Sequence, residues 1–116
     1  MITFFKKLIS GLQDLPSLSP QEAKSLIESG ALLLDVRSLA ERRRLSIPGS
    51  VNIPLDELPD RIATLPNGKT VVCQCASGMR SAQATRLLTD AGLDARNLSG
   101  GISAWRAAGL PTNAGH

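Results

Sequence analysis

Two apolar runs constrain this chain more than any other feature: "ALLLDV" at 31–36 and "KTVVCQC" at 69–75. A strand with one face in water alternates apolar and polar residues, whereas a strand buried on both faces reads as a continuous apolar stretch. Both runs are of the second kind. They alternate with segments that read as helices, and this order predicts an α/β fold: a central parallel sheet with helices on both faces.

The helical segments carry explicit start and stop signals. Ser19, Pro20 and Glu22 form an N-cap, a first-turn proline and an S-x-x-E capping box, which predicts a helix of about 10 residues ending at Gly30. Ser38 and Glu41 repeat the spacing, so "SLAERRR" reads as a short helix. "IPGSVNIP" reads as a turn and a short strand, and "LDELPDRIATLP" as a helix with Pro59 in its first turn. "SAQATRLLTDAGL" is a helix stopped by Gly92, "ARNL" a short edge strand, and "GISAWRAAGLP" a last helix ended by Gly109 and Pro111. The expected division is an amphipathic segment and Pro/Ser linker over 1–18, one domain over 19–112, and a tail over 113–116.

A length of 116 residues suits one domain, and 42% hydrophobic with 20% charged residues suits a chain that folds. The formal charge of +3 is a modest excess, and one Trp, two Phe and no Tyr leave no stacking platform, so nucleic acid is not an expected partner. Two cysteines two residues apart cannot build a disulfide framework, which points to a reducing, cytoplasmic setting. In "MITFFKKLISGL" the lysines interrupt the apolar stretch, so neither a secretory signal nor a membrane span is expected there. Ile2, Phe5, Leu8, Ile9 and Leu12 fall at helical spacing; the expectation is a helix packed on its own domain, with contact of residues 1–12 with a membrane or partner surface as the alternative.

The chemistry concentrates in "VVCQCASGMRS". In parallel sheets ligands bind beyond the carboxyl ends of the strands, and Cys75 stands where one strand ends and a helix follows, near Arg80 or Ser81. Residues 75–80 would then form a tight loop with its N–H groups turned inward. Gly78 can take positive φ, and the helix N-terminus adds positive potential, so Cys75 is expected as a thiolate. Arg80 would add a fixed charge and paired donors for a substrate oxyanion. Cys73, inside the apolar run, reads as core. A metal site is not expected, because zinc needs further ligands and the chain offers only His116 besides; for the same reason no Cys-His pair is expected.

Taken together, "LLLDVRS", "IPGSVNIP", "VVCQCASGMRS" and "LSGGISAWRAAGLP" resemble a single-domain rhodanese, a thiosulfate sulfurtransferase-like domain, over about residues 19–112. The resemblance implies a rhodanese-like three-layer fold and a persulfide on the loop cysteine, with no cofactor. Sulfur would pass from a small donor, thiosulfate or a persulfide, to a thiophilic acceptor such as cyanide, a thiol or a protein thiol. It implies Cys75 as nucleophile, Ala76, Ser77, Gly78, Met79 and Arg80 as the loop around the persulfide, and Asp35 with Arg37 as a supporting wall. Gly100, Gly101 and Trp105 match a closing segment with a structural role. Three residues at two places depart from the family pattern: Leu45 and Ser46 replace Gly-His, and Ala76 replaces a basic residue common in relatives. Two other readings stand beside it: a non-catalytic persulfide carrier or interaction module, with Arg37 and Arg42–Arg44 as a basic docking patch or merely a solvated helix face, and a cysteine phosphatase or arsenate reductase. Cysteine phosphatases have five residues between Cys and Arg where this chain has four, which favours sulfur.

Overall fold

The computed structural model describes residues 16–114. The amphipathic helix expected within residues 1–12 and the terminal His116 lie outside the described residues. Strands β1 (Ser17–Leu18), β2 (Leu32–Asp35), β4 (Val51–Asn52), β5 (Val71–Gln74) and β6 (Ala95–Leu98) form one sheet in the order β1-β6-β5-β2-β4. Every pairing in it is parallel. A small antiparallel ribbon joins β3 (Leu45–Ser46) to β7 (Asn113–Ala114). The helices are α1 (Pro20–Glu28), α2 (Leu39–Arg44), α3 (Leu58–Arg61), α4 (Met79–Asp90) and α5 (Gly101–Ala107).

The central strands are buried on both faces, as their apolar runs require. Leu33 and Val72, paired in register, point to one side, where Leu18, Ala23, Leu98, Ile102 and Trp105 from β1, α1, β6 and α5 complete a core. Leu34 and Cys73, the next pair, point to the other side, against Leu58 of α3 and Ala84 and Leu88 of α4. The period-two alternation of a strand thus feeds two cores from one sequence run.

Both capping boxes form. Ser19 accepts from the Glu22 N–H at 3.1 Å while Glu22 accepts from the Ser19 N–H at 2.8 Å, and Ser38 with Glu41 repeats the exchange at 3.2 and 3.1 Å. Three expectations differ in detail. "ARNL" is an interior strand, since Ser17–Leu18, assigned from sequence to the linker, pairs with its outer side and forms the sheet edge. Its N–H at Asn97 donates to Pro16 O at 2.8 Å, a long-range bond that two residues of Pro/Ser-rich sequence do not announce. "LDELPDRIATLP" is not one helix: a 3₁₀ turn (Leu55–Glu57), the single α-turn α3 with Pro59 near its start, and a second 3₁₀ turn (Ile62–Thr64) follow each other. Pro59 has no N–H to continue an α-ladder through that stretch. Leu45–Ser46, where the family pattern has Gly-His, runs extended and takes Asn113–Ala114 from the expected tail as its partner.

Candidate active site

Strand β5 delivers Cys75 to the carboxyl end of the sheet. The chain then turns through Ala76, Ser77 and Gly78 into α4, which begins at Met79, one to two residues earlier than the sequence suggests. Gly78 caps the helix at φ 108°, and its N–H lies 3.0 Å from Cys75 Sγ. A β-carbon there would be strained by that φ and would stand 3.2 Å from Gly100 N.

The back of the loop is held by α5. The Ile102 N–H donates to the Cys75 carbonyl at 2.8 Å and the Ser103 N–H to the Ala76 carbonyl at 3.2 Å. Gln74 Nε2 adds a second bond to the Cys75 carbonyl at 3.0 Å. With its carbonyls engaged behind, the loop presents N–H groups to the sulfur. Gly101 makes the approach feasible: a β-carbon on it would lie 2.7 Å from the Ala76 carbonyl carbon and closer still to the Cys75 oxygen. Trp105 is buried beneath and donates its indole N–H to Pro111 O at 2.8 Å.

Cys75 is buried, and burial alone would push its thiol up. The Ser81 hydroxyl and the N–H groups of Ser81, Gly78 and Ser77 outweigh that, and the thiol ionises below its ordinary range. The Ser81 hydroxyl lies 3.3 Å from Sγ and 2.6 Å from Asn97 Oδ1. Having one hydrogen, it serves one of them at a time. A protonated thiol can donate to Ser81 while Ser81 donates to Asn97; a thiolate turns the hydroxyl proton toward sulfur. Asn97 is oriented for this by its Nδ2, which donates to Gly78 O at 3.2 Å. Cys73, by contrast, is pushed up to about 12 by burial, a bond with Thr85 only partly opposing it. It is a core residue held neutral.

Arg80 does not point its fork into the loop. Its Nη1 donates to Glu41 Oε1 at 2.7 Å and its Nη2 to Oε2 at 2.9 Å. The guanidinium, against the opposing effect of burial and with help from Ser38, lowers the Glu41 carboxyl to about 2. Asp35 and Arg37 form a buried pair at the end of β2: Arg37 Nη2 reaches Asp35 Oδ2 at 2.8 Å and Leu45 O at 2.6 Å. Arg42 packs in too, donating to Ser50 Oγ at 2.7 Å and Ser50 O at 2.6 Å. Of the basic residues considered for docking, only Arg43 and Arg44 are fully at the surface. Ala76 is half-buried and Ser77 exposed. Met79 stands 76% exposed at the loop's rim. Sequence reasoning missed Ser81, Asn97 and Glu41 as parts of this site. Only Ser81, one residue past Arg80, carried a local signal.

Residues 19–108 match the family model for the rhodanese-like domain. The chain belongs to this family. As a rhodanese-like domain it is 41% identical to a sulfurtransferase of Allochromatium vinosum, over 69% of this chain and 76% of that one. It is 32% identical to the putative sulfurtransferase YtwF of Bacillus subtilis, over 86% of this chain and 99% of the relative. An HTH-type transcriptional regulator of Mycobacterium tuberculosis, 39% identical over 72% of this chain, is much longer: the match spans only 38% of it. A rhodanese-related protein of Thermoplasma volcanium superimposes with a TM-score of 0.80 at 34% identity, over 84% of this chain and 97% of that one. A protein from Rhodopseudomonas palustris described as a possible tyrosine phosphatase gives 0.78 at 30% identity, over 93% and 92%. Sulfurtransferase is the activity that the rhodanese-like family and the relatives named as sulfurtransferases support.

Proposed function

We propose that the domain transfers a sulfane sulfur by double displacement through a persulfide on Cys75. The Cys75 thiolate attacks the outer sulfur of the donor; the Sγ–S bond forms as the donor's S–S bond breaks, and its electron pair leaves with sulfite or a thiolate. A second thiophile, cyanide, a thiol or a protein thiol, then takes the outer sulfur and returns the thiolate. The observation that carries this reading is the donor set around Sγ: the Gly78 N–H at 3.0 Å and the Ser81 hydroxyl at 3.3 Å, in a loop otherwise closed over the sulfur. Such preorganised donors suit the negative charge carried by Sγ and then by the persulfide. Asp35 and Arg37 act as the supporting wall, and no cofactor enters the reaction.

The test is the intact mass of the reduced protein after a sulfur donor and then after cyanide, with Cys75→Ser and Cys73→Ser alongside. The expected result is a gain of one sulfur atom that cyanide removes, lost only in Cys75→Ser. No gain from thiosulfate or a persulfide in the wild type overturns the reading.

The likeness to the Rhodopseudomonas palustris protein favours testing phosphatase chemistry as well. A phosphate monoester needs a wide cradle and a free guanidinium, whereas four residues separate Cys75 from Arg80 and the Arg80 fork lies on Glu41. Hydrolysis of an aryl phosphate that depends on Cys75 would reverse the preference for sulfur.

A further inference from the structure

The rim of the loop is electrically balanced where the sequence promises a cation. Both terminal nitrogens of Arg80 are matched to both oxygens of Glu41, at 2.7 and 2.9 Å, in the forked geometry that guanidinium and carboxylate favour. Glu41 Oε1 is also bonded by the Ser38 N–H at 3.1 Å and the Ser38 hydroxyl at 3.0 Å, which fix it on α2. A dianion coming to Cys75 therefore meets loop N–H groups and a neutral pair. Beside the pair runs a groove of about 340 Å³ lined by Val36, Ser38, Pro54, Leu55, Asp56 and Arg80. Val36 and Leu55 of the groove pack in the same apolar cluster as Cys75, and Arg80, five residues after Cys75, lines the groove itself. Leu39 and Met79, the first residues of the helices that carry Glu41 and Arg80, are 51% and 76% exposed.

We propose that Glu41 determines the donor class: by discharging Arg80 it disfavours thiosulfate, and the apolar groove beside the pair takes the organic body of a persulfide donor instead. This rests on the persulfide reading of Cys75. In the donor half-reaction the thiolate attacks the outer sulfur of R–S–SH. The new Sγ–S bond forms, the donor's S–S bond breaks, and R–S⁻ departs with the electron pair, leaving Cys75 with its outer sulfur as Sγ–SH. A small organic thiolate leaves by the groove; no oxyanion has to be held.

The experiment measures the rate of Cys75 persulfidation by mass spectrometry, with thiosulfate and with cysteine persulfide, in the wild type, Glu41→Gln and the double variant Glu41→Gln/Arg80→Gln. Glutamine keeps the acceptor that caps α2, so the helix is retained. Wild type is expected to load faster from cysteine persulfide. Glu41→Gln, which unmasks one positive charge, is expected to raise the ratio of the thiosulfate rate to the persulfide rate about three- to tenfold. Removing Arg80 as well is expected to bring that ratio back to the wild-type value. As a check that needs no substitution, the wild-type thiosulfate rate is expected to depend weakly on ionic strength. A ratio unchanged in Glu41→Gln, a ratio in the double variant that stays raised or falls far below wild type, or a wild-type thiosulfate rate dropping steeply with salt overturns the proposal. Loading from neither donor in the wild type overturns the persulfide reading, and the proposal falls with it.

Discussion

A thiol enclosed by a loop should ionise reluctantly, and Cys75 does the opposite because four donors converge on it: the Ser81 hydroxyl and the N–H groups of Ser81, Gly78 and Ser77. Ser81 is the one that substitution can remove cleanly. In Ser81→Ala the thiol loses its side-chain donor, and the midpoint of the pH profile for alkylation of Cys75 is expected to move upward, with Ser81→Thr restoring it. A variant that reacts more slowly at every pH with an unmoved midpoint would assign Ser81 to packing alone. The place of Cys75 just past a strand end and the positive φ of Gly78 were legible in the sequence, because a cysteine there followed by a glycine-containing turn dictates its own local geometry. The partner of Arg80 was not. Glu41 lies 39 residues away and already had a local explanation as the third residue of a capping box. A carboxylate has enough lone pairs to cap its helix and hold a guanidinium at once, and only the fold shows the second use.

At the level of elements, the cysteine loop is positioned by the start of α5 as much as by its own turn. The N–H groups of Ile102 and Ser103 hold it from behind, and Gly101 is needed because the loop backbone passes where a β-carbon would sit. Gly101→Ala is expected to push residues 75–76 away from α5 and slow sulfur transfer by about 100-fold, as misplacement of a reacting group by about 1 Å does. Retention of far-UV circular dichroism would separate this from unfolding, and an unchanged rate would show that the loop does not depend on α5. The resemblance implied a structural role for Gly100 and Gly101: a β-carbon on Gly101 would run into the Cys75 oxygen, and one on Gly100 into the Ala104 β-carbon at 2.6 Å. Helices with caps and strands with uninterrupted apolar runs were readable because each is encoded within a few residues. The broken segment around Pro59 and the edge strand Ser17–Leu18 were not: the first depends on how far one proline disrupts a marginal helix, the second on a partner strand some 80 residues on.

For the whole molecule, Cys73 links fold stability to alkaline pH. Its folded pKa is raised to about 12 by burial from a starting value of 9.0. Below pH 9 both folded and unfolded chains keep this proton and the stability is intact; between about 9 and 12 the unfolded chain releases it and the folded chain does not. Cys75 shifts the other way, so its contribution is complete by the upper end of the ordinary thiol range and adds no further slope. With no tyrosine in the chain, no phenol titrates in that window. The unfolding free energy from urea titrations is therefore expected to fall from pH 9 to 11 by up to roughly 1.4 kcal/mol per pH unit in the wild type. It should fall less steeply in Cys73→Ala; parallel slopes would refute this. The sheet has a further consequence for how copies of the protein meet. Among the described residues both of its outer strands, Ser17–Leu18 and Val51–Asn52, are two residues long, and Asn52 turns its amide back onto Asp35 O and Arg37 O, both at 2.9 Å. An open edge recruits a neighbouring chain through a row of unpaired N–H and C=O groups. Rows this short give a second molecule almost nothing to extend, so crowding is met with sheets that stay separate rather than growing into one another.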